Sequence, residues 1–395
     1  MTGEVVRQGH HLERSRSVEG GEAQTGTASP RGRPEPEPKR SETQRSRLKP
    51  QVFNLPGEDI RAGRYSDKYF VRTREVLVAE SRHPRVLMQV FTKHAGVLCG
   101  TDEAVAVLRL CCDPPGNPLV IQALRDGDPI SAEETVMTIE GDYAAFAHLE
   151  TVYLSVLARG TGVATLVQEA VEVVADRPVF FFAARFGHYL TQQADGYAAL
   201  VGGAAGVSTD AGGERMAIPG MGTIPHGLIA AYDGDTVAAS VAFDGQIDGA
   251  VQRIALVDFQ NNCPETSVAV ARALGRRLWG VRLDTAGDLW DGSLSEEERT
   301  PENKGVSAPL VWRTRRALDE AGFDWVKIVV SGGFNAERLR RFVAEGVPFD
   351  AAGVGSWFFS RHAEFTADVV MVEGRPCAKV GRSYRPNPRL ELVPP

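Results

Sequence analysis

Cysteine is scarce in this sequence, and what there is does not pair. Cys99, Cys111, Cys112, Cys263 and Cys377 are scattered, odd in number and without any Cys-x-x-Cys spacing. That excludes a disulfide framework and a zinc–thiolate centre as the organising device. Long apolar runs are missing too. None approaches the ~20 residues of a membrane span, so no membrane partner is expected. The first residues carry no apolar secretory core, and a reducing cytoplasm is the expected location. Nor is there an excess of positive charge. The formal net charge is −7. Bulk attraction to nucleic acid or an acidic surface is therefore not expected, and any anion must be held by local geometry.

What is present is enough for two domains. The chain has 395 residues, 43% apolar, and 41 of them are glycine. Such a length exceeds one small domain. So many glycines point to tight turns or close backbone approaches to a ligand. Residues 1–48 are rich in Arg, Glu, Pro, Ser and Gly and cannot bury enough apolar surface to order themselves. We expect a disordered, solvated tail there. Glu is mixed in throughout, which disfavours a basic arm for nucleic acid.

Residues 49–150 read as a sheet domain of short strands, among them Val86–Phe91 and Ala104–Leu110, with a turn cluster at Pro114–Pro118. A long helical stretch follows from about Tyr143 to Ala175. From Pro178 the pattern changes to apolar strands alternating with helices, over a domain of residues 151–364. Strands are predicted at Val179–Ala183, Arg253–Val257, Trp279–Leu283, Val326–Val330 and Ala351–Val354. The helix after Asn335 starts on a capping Asn and stops at Gly346. Repeated strand–helix units imply parallel strands, and unbroken apolar strands imply burial on both faces. The fold class expected is α/β. A closed α/β barrel is the natural reading, and a doubly wound open sheet is the alternative. Residues 365–395 leave the pattern, and Ala367–Gly374 looks like a hairpin arm returning to the first domain.

In such barrels the chemistry lies at the carboxyl ends of the strands. The predicted runs end in Arg185, Ser208-Thr209, Thr223–His226, Asp258, Arg282–Asp284, Ser331–Gly333 and Gly353–Ser356. Cations, carboxylates, a histidine and two glycine-rich turns would thus share one rim. Ser331-Gly332-Gly333 leads straight into a helix, where free N–H groups attract an anion. Gly353, Gly355 and Ser356 would add a second set of donors. Either turn alone is most simply a turn; the pair suggests a phosphate cradle. Asp258 and Asp284, with Asp288 close behind, could meet Mg²⁺ directly or through water, bond ribose hydroxyls, or pair with Arg185 or Arg282. Those arginines suit a bidentate carboxylate or phosphate. For His226 a structural role and a role in phosphate chemistry stand about even.

These motifs, in this order, resemble the nicotinate phosphoribosyltransferase family, most closely its shorter archaeal-type form. The resemblance rests on Met221–His226, Val281–Asp284, Val330–Gly333 and Gly353–Ser356. Arg64–Tyr69, Ile139–Tyr143 and Glu150-Thr151 add to it, so that it covers about residue 53 to the end. It implies an irregular α/β barrel with an N-terminal open-faced sheet domain, completed by the C-terminal segment, in a homodimer with shared active sites. It implies joining of nicotinate to phosphoribosyl pyrophosphate with coupled ATP hydrolysis, and Mg²⁺ as the metal. His226 would be the histidine phosphorylated by ATP. Tyr69 would stack on the pyridine ring of the partner's site. Arg185 and Arg282, with Ser208 and Thr223, would line the substrates. Asp258 and Asp284 would serve ribose, diphosphate and Mg²⁺. Ser331, Gly332, Gly333, Gly353, Gly355 and Ser356 would hold the 5′-phosphate.

The sequence departs from the family pattern at Phe259 and Gln260, at Ala286 within Asp284–Asp288, and at Phe186 after Arg185. Quinolinate or nicotinamide therefore stand as alternative substrates, although a phosphorylated histidine argues against quinolinate. A non-catalytic sugar-phosphate-binding barrel, or an unrelated phosphate-binding barrel, are the readings from other classes.

Overall fold

The structure, a computed structural model, describes residues 46–395. Most of the expected tail lies outside those residues. Its inner end is an exception to the expected disorder. Arg47 donates to Asp102 at 2.9 Å and the Leu48 N–H donates to the same carboxylate at 2.8 Å, so ordered structure starts before residue 49.

The first region is built from α1 (Lys68–Ala79), β1 (Arg85–Thr92), α2 (Thr101–Cys111), β2 (Val120–Ala123), β3 (Thr135–Asp142) and the long α3 (Glu150–Val174). Ala104–Leu110, expected as a strand, is the body of α2. Asp102 and Glu103 occupy its first turn, where acids suit the helix dipole. Ala104 through Leu108 are all buried, which removes the amphipathic signature that distinguishes helix from strand.

The second region runs β4 (Val179–Phe181), α4 (Gln192–Val201), β5 (Gly206–Val207), α5 (His226–Ala231), α6 (Thr236–Gln246), β6 (Arg253–Leu256), α7 (Cys263–Leu274), β7 (Leu278–Leu283), α8 (Ala308–Glu320), β8 (Lys327–Val330), α9 (Ala336–Ala344) and β9 (Ala351–Val354). The order across the sheet is β5-β4-β9-β8-β7-β6, all parallel. β6 and β9 are buried along their whole length, as expected for strands covered on both faces. α9 begins where Asn335 accepts from the Arg338 N–H at 2.8 Å, and Gly346, at φ 66°, follows its end.

The sheet curls, and its two edges are joined by an irregular segment. The Met221 N–H donates to Val207 O on the β5 side at 2.8 Å. The Ile224 N–H donates to Ile254 O on the β6 side at 3.1 Å. Met221–Ile224 thus bridges the gap that regular strands leave, and the barrel is irregular for that reason.

The chain then returns. β10 (Phe365–Val372) pairs antiparallel with β1, β11 (Arg375–Pro376) flanks β10, and β12 (Glu391–Leu392) pairs with β2. The resulting sheet has the order β11-β10-β1-β3-β2-β12. Its core, with Val90, Ile121, Ile139 and Leu157, is separate from the barrel core around Val281, Leu310, Ile328 and Leu339. Among the described residues no helix is long and apolar enough to cross a membrane.

Candidate active site

The carboxyl ends of the barrel strands enclose a cavity of about 410 Å³. Of the residues singled out from the sequence, Arg185, Ser208, Thr223, His226, Arg282 and Asp284 line it. So do Ser331, Gly332, Gly333, Gly353, Gly355 and Ser356. Three predicted positions do not. Asp258 lies beneath His226, Asp288 is exposed outside the lining, and Tyr69 is on α1 of the sheet domain.

Arg282 organises the floor. It is the fifth residue of β7, and it donates to Ser331 Oγ at 3.1 Å, Thr223 Oγ1 at 2.7 Å and Asp284 Oδ2 at 2.7 Å. Ser331 Oγ lies 2.8 Å from Asp284 Oδ1. One guanidinium therefore ties β7, the turn after β8 and the bridging segment into a single network. Ser331 is buried and the other members half-buried, and each holds the others in place. Arg185 is different. Among the described residues it has no hydrogen-bond or ion-pair partner, and its guanidinium lies 5.2 Å from the centre of the Phe186 ring. It is an exposed cation at the rim, free to meet an anion.

His226 opens α5, directly after the bridging segment, and its ring is half-exposed. Its Nε2 lies 3.0 Å from Asp258 Oδ2. Burial pushes the Asp258 carboxyl up from its ordinary range, and the neighbouring imidazole pulls it back. The carboxylate orients the ring. With the Nε2 proton directed at Asp258, Nδ1 keeps its lone pair.

The two glycine turns have distinct geometry. Gly332 and Gly333 take φ of 84° and 76°, a left-handed pair that side chains adopt with strain. Their N–H groups precede α9, where an anion is favoured. At Gly355 a Cβ would come within 2.8 Å of the Phe186 ring, so glycine there preserves both ring and turn.

Among the described residues no group of three or more His, Cys, Asp or Glu side chains could hold a metal ion. Both Asp284 oxygens are engaged by Arg282 and Ser331. Asp258 offers one oxygen to His226, and its other, Oδ1, is sealed from solvent without a partner. Direct coordination by these carboxylates does not fit; contact through water is open to Asp284, which lines the cavity, and not to the sealed Asp258.

Sequence reasoning missed three contributors. Phe182 and Met221 line the cavity and were hidden within apolar runs. Arg338 donates to Gly332 O at 3.0 Å and to Val306 O at 2.8 Å, fixing the phosphate-type turn from below. Its signal was legible: a cation in the first turn of a helix opposes the dipole and needs another reason to be there.

Fold and site together define an α/β barrel with cationic side chains, hydroxyls and two glycine turns gathered at one mouth. The comparisons place that class more narrowly. Residues 67–182 match the family model "Quinolinate phosphoribosyl transferase, N-terminal domain". A solved structure of nicotinate-nucleotide pyrophosphorylase from Pyrococcus furiosus is 34% identical with a TM-score of 0.73, over 86% of this chain and 85% of that one. Nicotinate phosphoribosyltransferase of Bacillus subtilis is 27% identical over 59% of this chain and 44% of its own length. Nicotinate phosphoribosyltransferase pncB1 of Mycobacterium tuberculosis is 29% identical over 68% and 57%. The chain spans about half the length of these curated relatives. It belongs to the nicotinate and quinolinate phosphoribosyltransferase family, the type II phosphoribosyltransferases.

Proposed function

We propose that this chain is a nicotinate phosphoribosyltransferase that couples ATP hydrolysis to synthesis of nicotinate mononucleotide. The observation that carries the reading is His226 held by a buried carboxylate at the mouth of a cavity with paired glycine turns. The pyridine nitrogen attacks C1 of phosphoribosyl pyrophosphate; the C1–O bond breaks and diphosphate leaves. The ring nitrogen is already a free nucleophile, so the protein's task is to position it and to stabilise the leaving group. The turns at Ser331–Gly333 and Gly353–Ser356 hold the 5′-phosphate, while the Arg282 network faces the ribose and diphosphate. Arg185 meets the nicotinate carboxylate.

In the coupled step Nδ1 of His226 attacks the γ-phosphorus of ATP, and ADP leaves. Water later takes the phosphoryl group, releasing phosphate and restoring the imidazole. Asp258 stabilises the charged ring while the phosphoryl group is carried. Mg²⁺ bound with the phosphates would neutralise their charge, and Asp284 would meet it through water, while Asp258 keeps to the His226 ring. Tyr69 is strongly exposed on α1. In a homodimer it would be available to the pyridine in the partner's site.

A quinolinate-using enzyme is the second reading, favoured by the family match over residues 67–182. A second substrate carboxylate calls for a second uncommitted cation. Arg282 is already paired to Asp284, which supports the monocarboxylate. The test is mononucleotide formation with phosphoribosyl pyrophosphate, Mg²⁺ and ATP, using nicotinate, nicotinamide and quinolinate in turn. Product from nicotinate alone is expected, and no product from any would overturn the proposal. Arg185→Ala should raise the KM for nicotinate roughly tenfold or more and leave the KM for ATP nearly unchanged.

A further inference from the structure

The barrel has a second mouth. At the amino-terminal ends of the strands, opposite the glycine turns, lies a cavity of about 640 Å³. That is well within the range of small-molecule sites. It is walled by the segment between α6 and β6, by the start of β7 and by the start of β8. Between the two mouths sits a layer of interior side chains that includes Phe180, Ile254, Val329 and Ala351, with Trp279 packed against it.

The charges in this cavity do not cancel. Arg253, Arg276, Arg277 and Lys327 line it, and Asp244 is the acid among the lining residues. Buried Arg253 is fully occupied. It bonds Asp244 and the carbonyls of Ile247, Asp248 and Val251, and so fixes the wall. Arg277 shares Asp244 at 2.9 Å, and Lys327 pairs with Asp350 at 2.9 Å. Asp248, the remaining nearby acid, accepts from the Ala250 N–H of its own turn. Arg276 has no acidic partner among the described residues. Its guanidinium lies 3.7 Å from the centre of the Trp325 ring, and the residue is exposed. Four cations against Asp244, Asp248 and Asp350 leave one positive charge in surplus, in a protein whose net charge is −7. Trp279 and Leu278 add apolar surface beside them.

We propose that this second mouth binds a phosphomonoester carrying a planar ring, of the nucleoside monophosphate class. A phosphate group complements the net positive charge, with Arg276 as the cation that has no acidic partner among the described residues. The exposed Arg276 guanidinium and the indole of Trp279, both lining the cavity, suit a flat ring. The site is independent of the catalytic assignment, because none of its residues lines the catalytic cavity.

The experiment is calorimetric titration of the full chain and of R276A/R277A with adenosine monophosphate, and separately with inorganic phosphate. Both arginines are exposed, so the variant should fold. Nicotinate turnover is measured in parallel. The expected result is saturable nucleotide binding that weakens about tenfold or more in the variant, with turnover within about twofold of the parent. Superimposable isotherms, or no binding by the parent, would overturn the proposal. Phosphate binding as tightly as the nucleotide would overturn the ring-bearing ligand class.

Discussion

Among the described residues there are two six-stranded sheets, and the cavity lined by the predicted site residues lies at the strand ends of one of them. The barrel sheet is parallel throughout, so every strand delivers its carboxyl end to the same rim. Residues as distant as Arg185 and Ser356 therefore line one cavity. The other sheet is antiparallel, and its strand ends are split between two edges. No comparable gathering is possible there. What it offers instead is support, and a few titratable groups placed where burial perturbs them. Glu150, at the start of α3, is pushed up to about 8, first by burial and then by Asp368 and Asp67. Direction of the strands, more than composition, decides which region can hold a small-molecule site.

That contrast can be broken by substitution. His226→Asn should cut ATP-coupled turnover roughly 10³-fold or more and abolish labelling from γ-phosphate-labelled ATP. Retained labelling would remove the histidine from the mechanism. Asp284→Ala strips Arg282 and Ser331 of their shared partner. It should lower kcat/KM roughly 10²-fold and stability by roughly 1.5–3 kcal/mol, read from steady-state kinetics and denaturant melts. In the sheet domain the pattern should invert. Leu157 is fully buried, and Leu157→Ala should cost about 2–5 kcal/mol while the folded fraction keeps its kcat/KM. A large kinetic defect there would show that the two sheets are not functionally separate.

Glu150→Gln tests the smallest effect. The folded protein retains the Glu150 proton up to about pH 8, whereas the unfolded chain releases it near the ordinary carboxylate range. This group's contribution to stability therefore falls as pH rises between those values. The variant lacks the titration. Its melting temperature should exceed the parent's at pH 8 and match it near pH 4. A gap that does not change with pH would contradict the buried-carboxyl assignment.

The barrel was the more legible half. Its strands announce themselves as short unbroken apolar runs, and residues after most of the runs line the cavity, while Asp258 sits against His226 instead. The helix at Thr101–Cys111 was not legible, because burial on every side erases periodicity. Nor could spacing reveal that Arg282 binds Thr223, Asp284 and Ser331 together, since that contact exists only once three segments meet. Asp258 was singled out as a possible metal or ribose ligand. In the structure its nearest task is to hold the His226 ring.

The segment Met221–Ile224 has a double duty. It is stitched to Val207 on one side and Ile254 on the other, and two residues later the chain presents His226. The seam that completes the cylinder is therefore also the mount of the imidazole. An insertion in residues 209–220, or any ligand that pries the edge strands apart, would swing that ring away without touching a reacting group. The position of the imidazole is thus tied to the integrity of that seam.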